Sequence, residues 1–143
     1  MARVLIVGCG CRGRSLAREL VAAGHAVRGT TRDAARTAAI AEAGAEPYVG
    51  DPDRIGTLMS ALAGVTVICW LLGSVPAPDL HDGRLRMLFE KLVDTPVRGV
   101  VYERGSAAGE AIARDAADRW QIPVEVIEPG GDVRAAVDRL LGL

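Results

Sequence analysis

Gly8-Cys-Gly10-Cys-Arg-Gly13 has the clearest chemical purpose of any run in the chain. It is a G-x-G-x-x-G motif between a short apolar segment, Arg3-Val-Leu-Ile-Val7, and a segment of helical periodicity. Each glycine has a reason. Gly8 permits a tight turn. Gly10 lets a phosphate approach the backbone with no β-carbon in the way. Gly13 lets the following helix pack closely on the strand. The free N–H groups of that helix's first turn and its dipole favour an anion. The motif predicts a pyrophosphate site, and hence a dinucleotide site, at Gly8, Gly10, Cys11, Arg12 and Gly13.

The next apolar segment, Ala26-Val-Arg-Gly-Thr-Thr31, discriminates between dinucleotides. An acid at the end of this strand would hold the ribose 2′-hydroxyl of NAD. Neither Thr30 nor Thr31 is acidic, and Arg32 follows at once. An arginine there can neutralise a 2′-phosphate and lay its plane against the adenine. Thr31 can donate to the same phosphate, and Arg12 or Arg14 can add charge, although Arg14 also reads as a solvated residue. Asp33 lies close enough to approach the ribose, but capping the second helix is its preferred task. The expected cofactor is NADP(H), with NAD(H) as the alternative.

Chemistry elsewhere is sparser. The three cysteines are Cys9, Cys11 and Cys69. An odd count in such a chain argues against a disulfide scaffold. Cys9-x-Cys11 lacks further ligands nearby, so no metal site is expected. Cys69 reads as a small buried hydrophobe. His81, after the fourth strand, is a candidate acid or base and equally a surface histidine without a role. His25 precedes the second strand on the side away from the motif and reads as structural. Trp70 and Trp120 read as core.

These residues sit in a regular alternation of strand and helix. A first helix over Arg14–Ala23 places Leu16, Leu20 and Val21 on one face and stops at Gly24. Asp33 caps an alanine-rich helix that ends at Gly44, and Glu46–Val49 is a weaker third strand. Asp51 caps a third helix with Pro52 at its first position. Ile55, Leu58, Met59 and Leu62 recur at helical spacing before Gly64. Val65–Leu72 is a continuous apolar strand, the type buried on both faces of a parallel sheet. A loop with two prolines, Gly73–Asp82, leads to a helix marked by Leu85, Leu88, Phe89 and Leu92. Val97–Tyr102 is a strand, Ser106–Trp120 a helix and Pro123–Ile127 a strand. Val133, Ala136, Val137, Leu140 and Leu141 mark a closing helix. Six strands alternating with six helices predict an α/β, doubly wound parallel six-stranded sheet. Right-handed crossovers favour the order 3-2-1-4-5-6 of the Rossmann fold. No linker divides the chain, so residues 1–143 read as one domain.

Composition excludes several classes. A net charge of −1 gives no general drive toward nucleic acid or anionic lipid. Half of the residues are hydrophobic, yet no apolar run approaches the roughly 20 residues of a membrane helix. The start of the chain does not resemble a signal peptide, and a cytoplasmic location is expected.

The motif residues Gly8–Gly13, Leu16-Ala17, Gly24-His-Ala-Val27 and Gly29-Thr-Thr-Arg32 resemble the atypical or extended short-chain dehydrogenase/reductases. The likeness is to the NAD(P)-dependent epimerase/dehydratase-like and NmrA-like branches. Pro123–Gly130 resembles their sixth strand and its Pro-Gly exit, and Gly50-Asp51 their adenine-contacting position. The resemblance implies that Leu72, Gly73 and Ser74 border the cofactor ribose. It also implies a catalytic tyrosine with a lysine four residues later, which lowers the tyrosine pKa. Here Pro52 follows Tyr48 by four and Ser106 follows Tyr102 by four. The only lysine, Lys91, serves neither by sequence.

The fifth strand's end offers substitutes. Ser106 occupies a place where the family often has a catalytic serine, though a helix N-cap is the simpler reading. Glu103 and Arg104 lie where doubly wound sheets place their ligands and could orient a substrate. Extended members carry a substrate-binding part after the core. Here a substrate pocket is expected from the loops Gly73–Asp82 and Glu103–Ala108, with Val75–Asp79 as a lid, or from a second subunit. Two functions compete: an oxidoreductase or epimerase-like enzyme with an unusual proton donor, and a dinucleotide-sensing or regulatory protein that does no chemistry.

Overall fold

The computed structural model describes residues 2–73 and 82–142. Six parallel strands form one sheet in the order β3-β2-β1-β4-β5-β6. The strands are β1 (Arg3–Val7), β2 (Ala26–Thr31), β3 (Glu46–Val49), β4 (Val67–Trp70), β5 (Gly99–Glu103) and β6 (Val124–Ile127). The order is the expected one, and it reverses direction between β1 and β4. At that reversal the loops leaving the two strands diverge to opposite faces and open a crevice at their carboxyl ends.

Alternation along β1 divides its side chains between two cores. Leu5 and Val7 face one cluster with Trp70, Phe89 and Tyr102. Val4 and Ile6 face the other with Leu16, Leu20, Ile40 and Val137. A sheet apolar on both faces needs helices on both. They are α1 (Cys11–Ala22), α2 (Thr37–Glu42), α3 (Gly83–Leu92), α4 (Ala107–Trp120) and α5 (Val133–Leu141). Each Leu or Ile buried in these cores contributes roughly 1.5–3 kcal/mol.

The helical reading is corrected in two places. The segment Ile55–Leu62 is a 3₁₀ helix, and it starts after Pro52 rather than with it. Local hydrogen bonds take the preceding residues. The Asp51 carboxylate accepts from Asp53 N at 2.9 Å, and the Thr57 hydroxyl donates to Asp51 O and Arg54 O. Such side-chain bonds compete with the helical ladder. The apolar residues keep their task, because spacing by three suits either helix: Ile55, Leu58 and Leu62 are buried. Second, Asp33 caps as expected, accepting from Ala35 N at 2.9 Å. It caps a 3₁₀ turn, Ala34–Arg36, that leads into a shorter α2.

The first helix begins at Cys11, three residues earlier than its apolar face indicates. Trp70 is fully buried, whereas Trp120 is half-buried with the Arg119 guanidinium 5.7 Å from its ring centre. His25 Nδ1 accepts from Ala2 N at 3.3 Å, away from the crevice.

Candidate functional site

The glycine loop is built by its neighbours. Gly8 has φ +88°, a left-handed conformation. A β-carbon on it would lie 2.8 Å from the Leu71 carbonyl oxygen. A β-carbon on Gly13 would meet Gly8 O and Ile6 Cγ2 at 3.2 Å, the close packing of helix on strand that the motif implies. Gly10 differs: a β-carbon there would touch nothing within 4 Å. Packing does not require that glycine; open space in front of it does. The loop is pinned to β2 by Cys9 N donating to Thr30 O at 3.2 Å and Gly8 N to the buried Thr30 hydroxyl at 3.4 Å. Gly10 is the N-cap of α1 and supplies no side chain, so the amides of the first turn are left for a ligand.

Two adjoining cavities meet at Gly8, Gly10 and Leu71. One, of about 240 Å³, is walled by Cys11, Arg12 and Gly13. The other, of about 280 Å³, runs toward β2 and β3 and is walled by Thr30, Thr31, Arg32, Arg36, Gly50, Pro52 and Leu72. Arg32 is exposed and pairs with no described residue. Arg36 is also exposed and stands only loosely by Asp33, at 3.9 Å. Arg36 is absent from the sequence reading. Its signal was there: four residues after Arg32, with a helix expected between them, it falls on the same side.

Other expected site residues stand differently. The Thr31 hydroxyl is in a local turn, accepting from Asp33 N at 3.1 Å and donating to Asp33 O at 3.3 Å. Asp51 is not in the cavity wall, where its neighbours Gly50 and Pro52 are. Gly73 lies beyond the wall, its N–H donating to Glu103 Oε1 at 2.7 Å. Ser74, His81 and the expected lid Val75–Asp79 fall outside the described residues.

At the end of β5, polar groups are engaged with one another. Glu103 is buried and its carboxylate is ion-paired with the Arg12 guanidinium. Arg104 turns away to Glu110 at 2.8 Å, where hydrogen bonds from Arg114 and Arg104 hold the Glu110 carboxyl below its usual range. The Ser106 hydroxyl caps α4, accepting from Gly109 N at 2.9 Å. Tyr102 is buried, with its hydroxyl accepting from Gly105 N at 3.1 Å, while Lys91 is exposed in the last turn of α3. Cys9 is buried under the loop, and burial pushes its thiol up to about 11. Cys69, in the core, is pushed up to about 12. Cys11 is the exposed cysteine. Among the described residues, no cluster of side chains could hold a metal ion and no helix is long and apolar enough to cross a membrane.

The profile of a family described as NAD(P)H-binding matches residues 8–138. No curated protein matches the chain. Solved structures share the fold at low identity. A protein described as an NAD-dependent epimerase/dehydratase from Bacillus halodurans is 19% identical, with a TM-score of 0.72 over 90% of this chain and 70% of that one. The triphenylmethane reductase of Citrobacter sp., solved with NADP(H), is 17% identical, with a TM-score of 0.65 over 86% of this chain and 48% of that one. UDP-N-acetylglucosamine 4-epimerase from Bacillus cereus is 12% identical, with a TM-score of 0.70 over 90% and 53%. The chain therefore spans about half the length of the reductase and of the epimerase. With the family profile covering the glycine loop and nearly all that follows it, the chain belongs to the NAD(P)H-binding family.

Proposed function

We propose that this chain binds NADP(H) in preference to NAD(H) and acts as a dinucleotide-sensing or regulatory protein. The observation that carries the cofactor reading is the pair of exposed arginines, Arg32 and Arg36, in the wall of the cavity at the end of β2, where an NAD site would offer an acid. The residues fit the group. The open face of Gly10 and the uncapped amides of α1 would hold the pyrophosphate. Arg32 and Arg36 would hold the 2′-phosphate by charge-assisted bonds. Gly50, Pro52 and Leu72 would flank the adenosine half.

The second half of the reading rests on the β5 end. The nicotinamide supplies a hydride when bound, and turnover then needs a group placed to give or take a proton. Ser106 caps a helix, Tyr102 is buried with its hydroxyl engaged, and Glu103 is ion-paired. These engagements support binding without chemistry. The likeness to a reductase and an epimerase supports the other reading, an oxidoreductase or epimerase-like enzyme. A titration with NADPH and NADH, followed by absorbance at 340 nm with a panel of carbonyl compounds, separates the two. Tight binding of NADPH without oxidation is the expected result. Sustained oxidation with any compound would overturn the non-catalytic reading, and equal affinity for NADH would overturn the cofactor preference.

A further inference from the structure

The Arg12–Glu103 ion pair joins two elements that a dinucleotide must pass between. Arg12 belongs to the glycine loop and the first turn of α1, whereas Glu103 ends β5. Because β4 lies between β1 and β5 in the sheet, the pair bridges the carboxyl end of β4. The cavity at the glycine loop has Arg12 in its wall, and neither Glu103 nor Gly73 lines it or the cavity beside it.

Several features make this a built contact. Glu103 is 1% exposed, and its other carboxylate oxygen takes the Gly73 amide at 2.7 Å. Position 73 must be glycine for that approach, since a β-carbon there would lie 2.5 Å from Glu103 Cγ. Arg104, the neighbouring cation, is committed to Glu110. Arg12 is therefore the cation that offsets a buried carboxylate, and moving it leaves that charge poorly compensated. The two partners are nevertheless unequal. The Arg12 side chain is 43% exposed, so it can swing outward while Glu103 stays in place.

We propose that the Arg12–Glu103 pair is a gate on the far half of the cleft. With the pair closed, the adenosine end of a ligand and its first phosphate are accommodated. The pair must part before the rest of a dinucleotide can lie across the ends of β4 and β5. Full-length cofactor thus binds against the cost of opening the pair, and a ligand that stops at the first phosphate does not. This inference rests on the dinucleotide reading above.

The test compares NADPH with 2′,5′-ADP, which carries the adenosine, the 2′-phosphate and one 5′-phosphate. Calorimetric affinities are measured for the wild type and for Glu103→Gln, which keeps an acceptor for Gly73 N–H and releases Arg12. The ratio of NADPH affinity to 2′,5′-ADP affinity is expected to rise about tenfold in the variant, the scale of one modest ion pair lost. Should the buried substitution fail to fold, Arg12→Gln cuts the same bridge from its exposed side, and the same rise is expected. An unchanged ratio makes the pair a structural strut and overturns the gate. A fall makes Glu103 or Arg12 a ligand of the nicotinamide half, which also overturns it. A wild type that binds neither compound overturns the dinucleotide reading and the gate with it, whereas binding of both at an unchanged ratio removes the gate alone.

Discussion

The two ends of the cleft use the same residue types in opposite ways. At the β2 end, Arg32 and Arg36 are exposed around a cavity of about 280 Å³. Arg32 meets no described partner, and Arg36 meets Asp33 only at 3.9 Å. At the β5 end, Arg12 meets Glu103, Arg104 meets Glu110, and Ser106 and Tyr102 each take a backbone amide. A guanidinium without a partner beside a cavity is a standing offer to an anion. One already paired over a buried carboxylate has its charge spent inside the protein. The same contrast holds within the sheet: Arg28 on β2 is buried and donates to Ala61 O at 2.6 Å, so it works as a structural tie to the Ile55–Leu62 segment. Charge count therefore says little about which arginine can serve a ligand, and its surroundings say almost everything.

Where the two cavities meet, Gly10→Val should have the largest effect on ligand binding. The new side chain points into open space, so the melting temperature should move by no more than about 2 °C, a few tenths of a kcal/mol. Affinity for NADPH and for 2′,5′-ADP should each fall about a hundredfold, near 2.7 kcal/mol, as measured by calorimetry. Unchanged affinity would place the phosphate site elsewhere and dissolve the distinction between the two ends.

The β2 end is probed next. Arg32→Ala should reduce the preference for NADPH over NADH by roughly tenfold to a hundredfold, since charged hydrogen bonds are worth about 1.5–3 kcal/mol, and NADH affinity should stay constant. Arg36→Ala should act in the same direction and less, because Asp33 stands near it. An Arg32→Ala protein that still prefers NADPH would show that Arg32 is a solvated residue after β2.

Ser106→Ala tests the other end. Loss of an N-cap costs about 1 kcal/mol of stability, read from urea denaturation. NADPH affinity should not change. If affinity fell while stability held, the β5 end would be a ligand site after all.

The smallest effect concerns the thiols. Cys11 should react with maleimide at neutral pH and be protected by NADPH, while Cys9 and Cys69 stay unlabelled until the protein unfolds. Their folded pKa values are raised from 9.0 to about 11 and about 12 by burial. A raised value means the native state holds its proton longer than the unfolded chain does. The associated stability is complete below pH 9 and declines as pH rises through 11 to 12. Labelling of Cys9 in the folded protein at pH 7 would contradict the packing under the glycine loop.

Much of this molecule was legible in its residues. Apolar runs of period two and helical faces of period 3.6 report burial directly, so the strand order and the alternation of elements followed from pattern and handedness. The roles of Gly8 and Gly13 followed from a motif whose glycines are demanded by local geometry. Arg32 could be named because it immediately follows a strand whose end faces the cleft. Other features needed the folded chain, for one physical reason: they depend on which groups meet across long sequence separations. No local pattern tells that Arg12 reaches Glu103, or that Gly73 is small for the sake of that carboxylate. The 3₁₀ form of Ile55–Leu62 arose from Thr57 and Asp51 competing for backbone groups, a contest that apolar spacing does not record. Periodicity is a property of neighbours along the chain, whereas the pairing of a charge depends on tertiary contact.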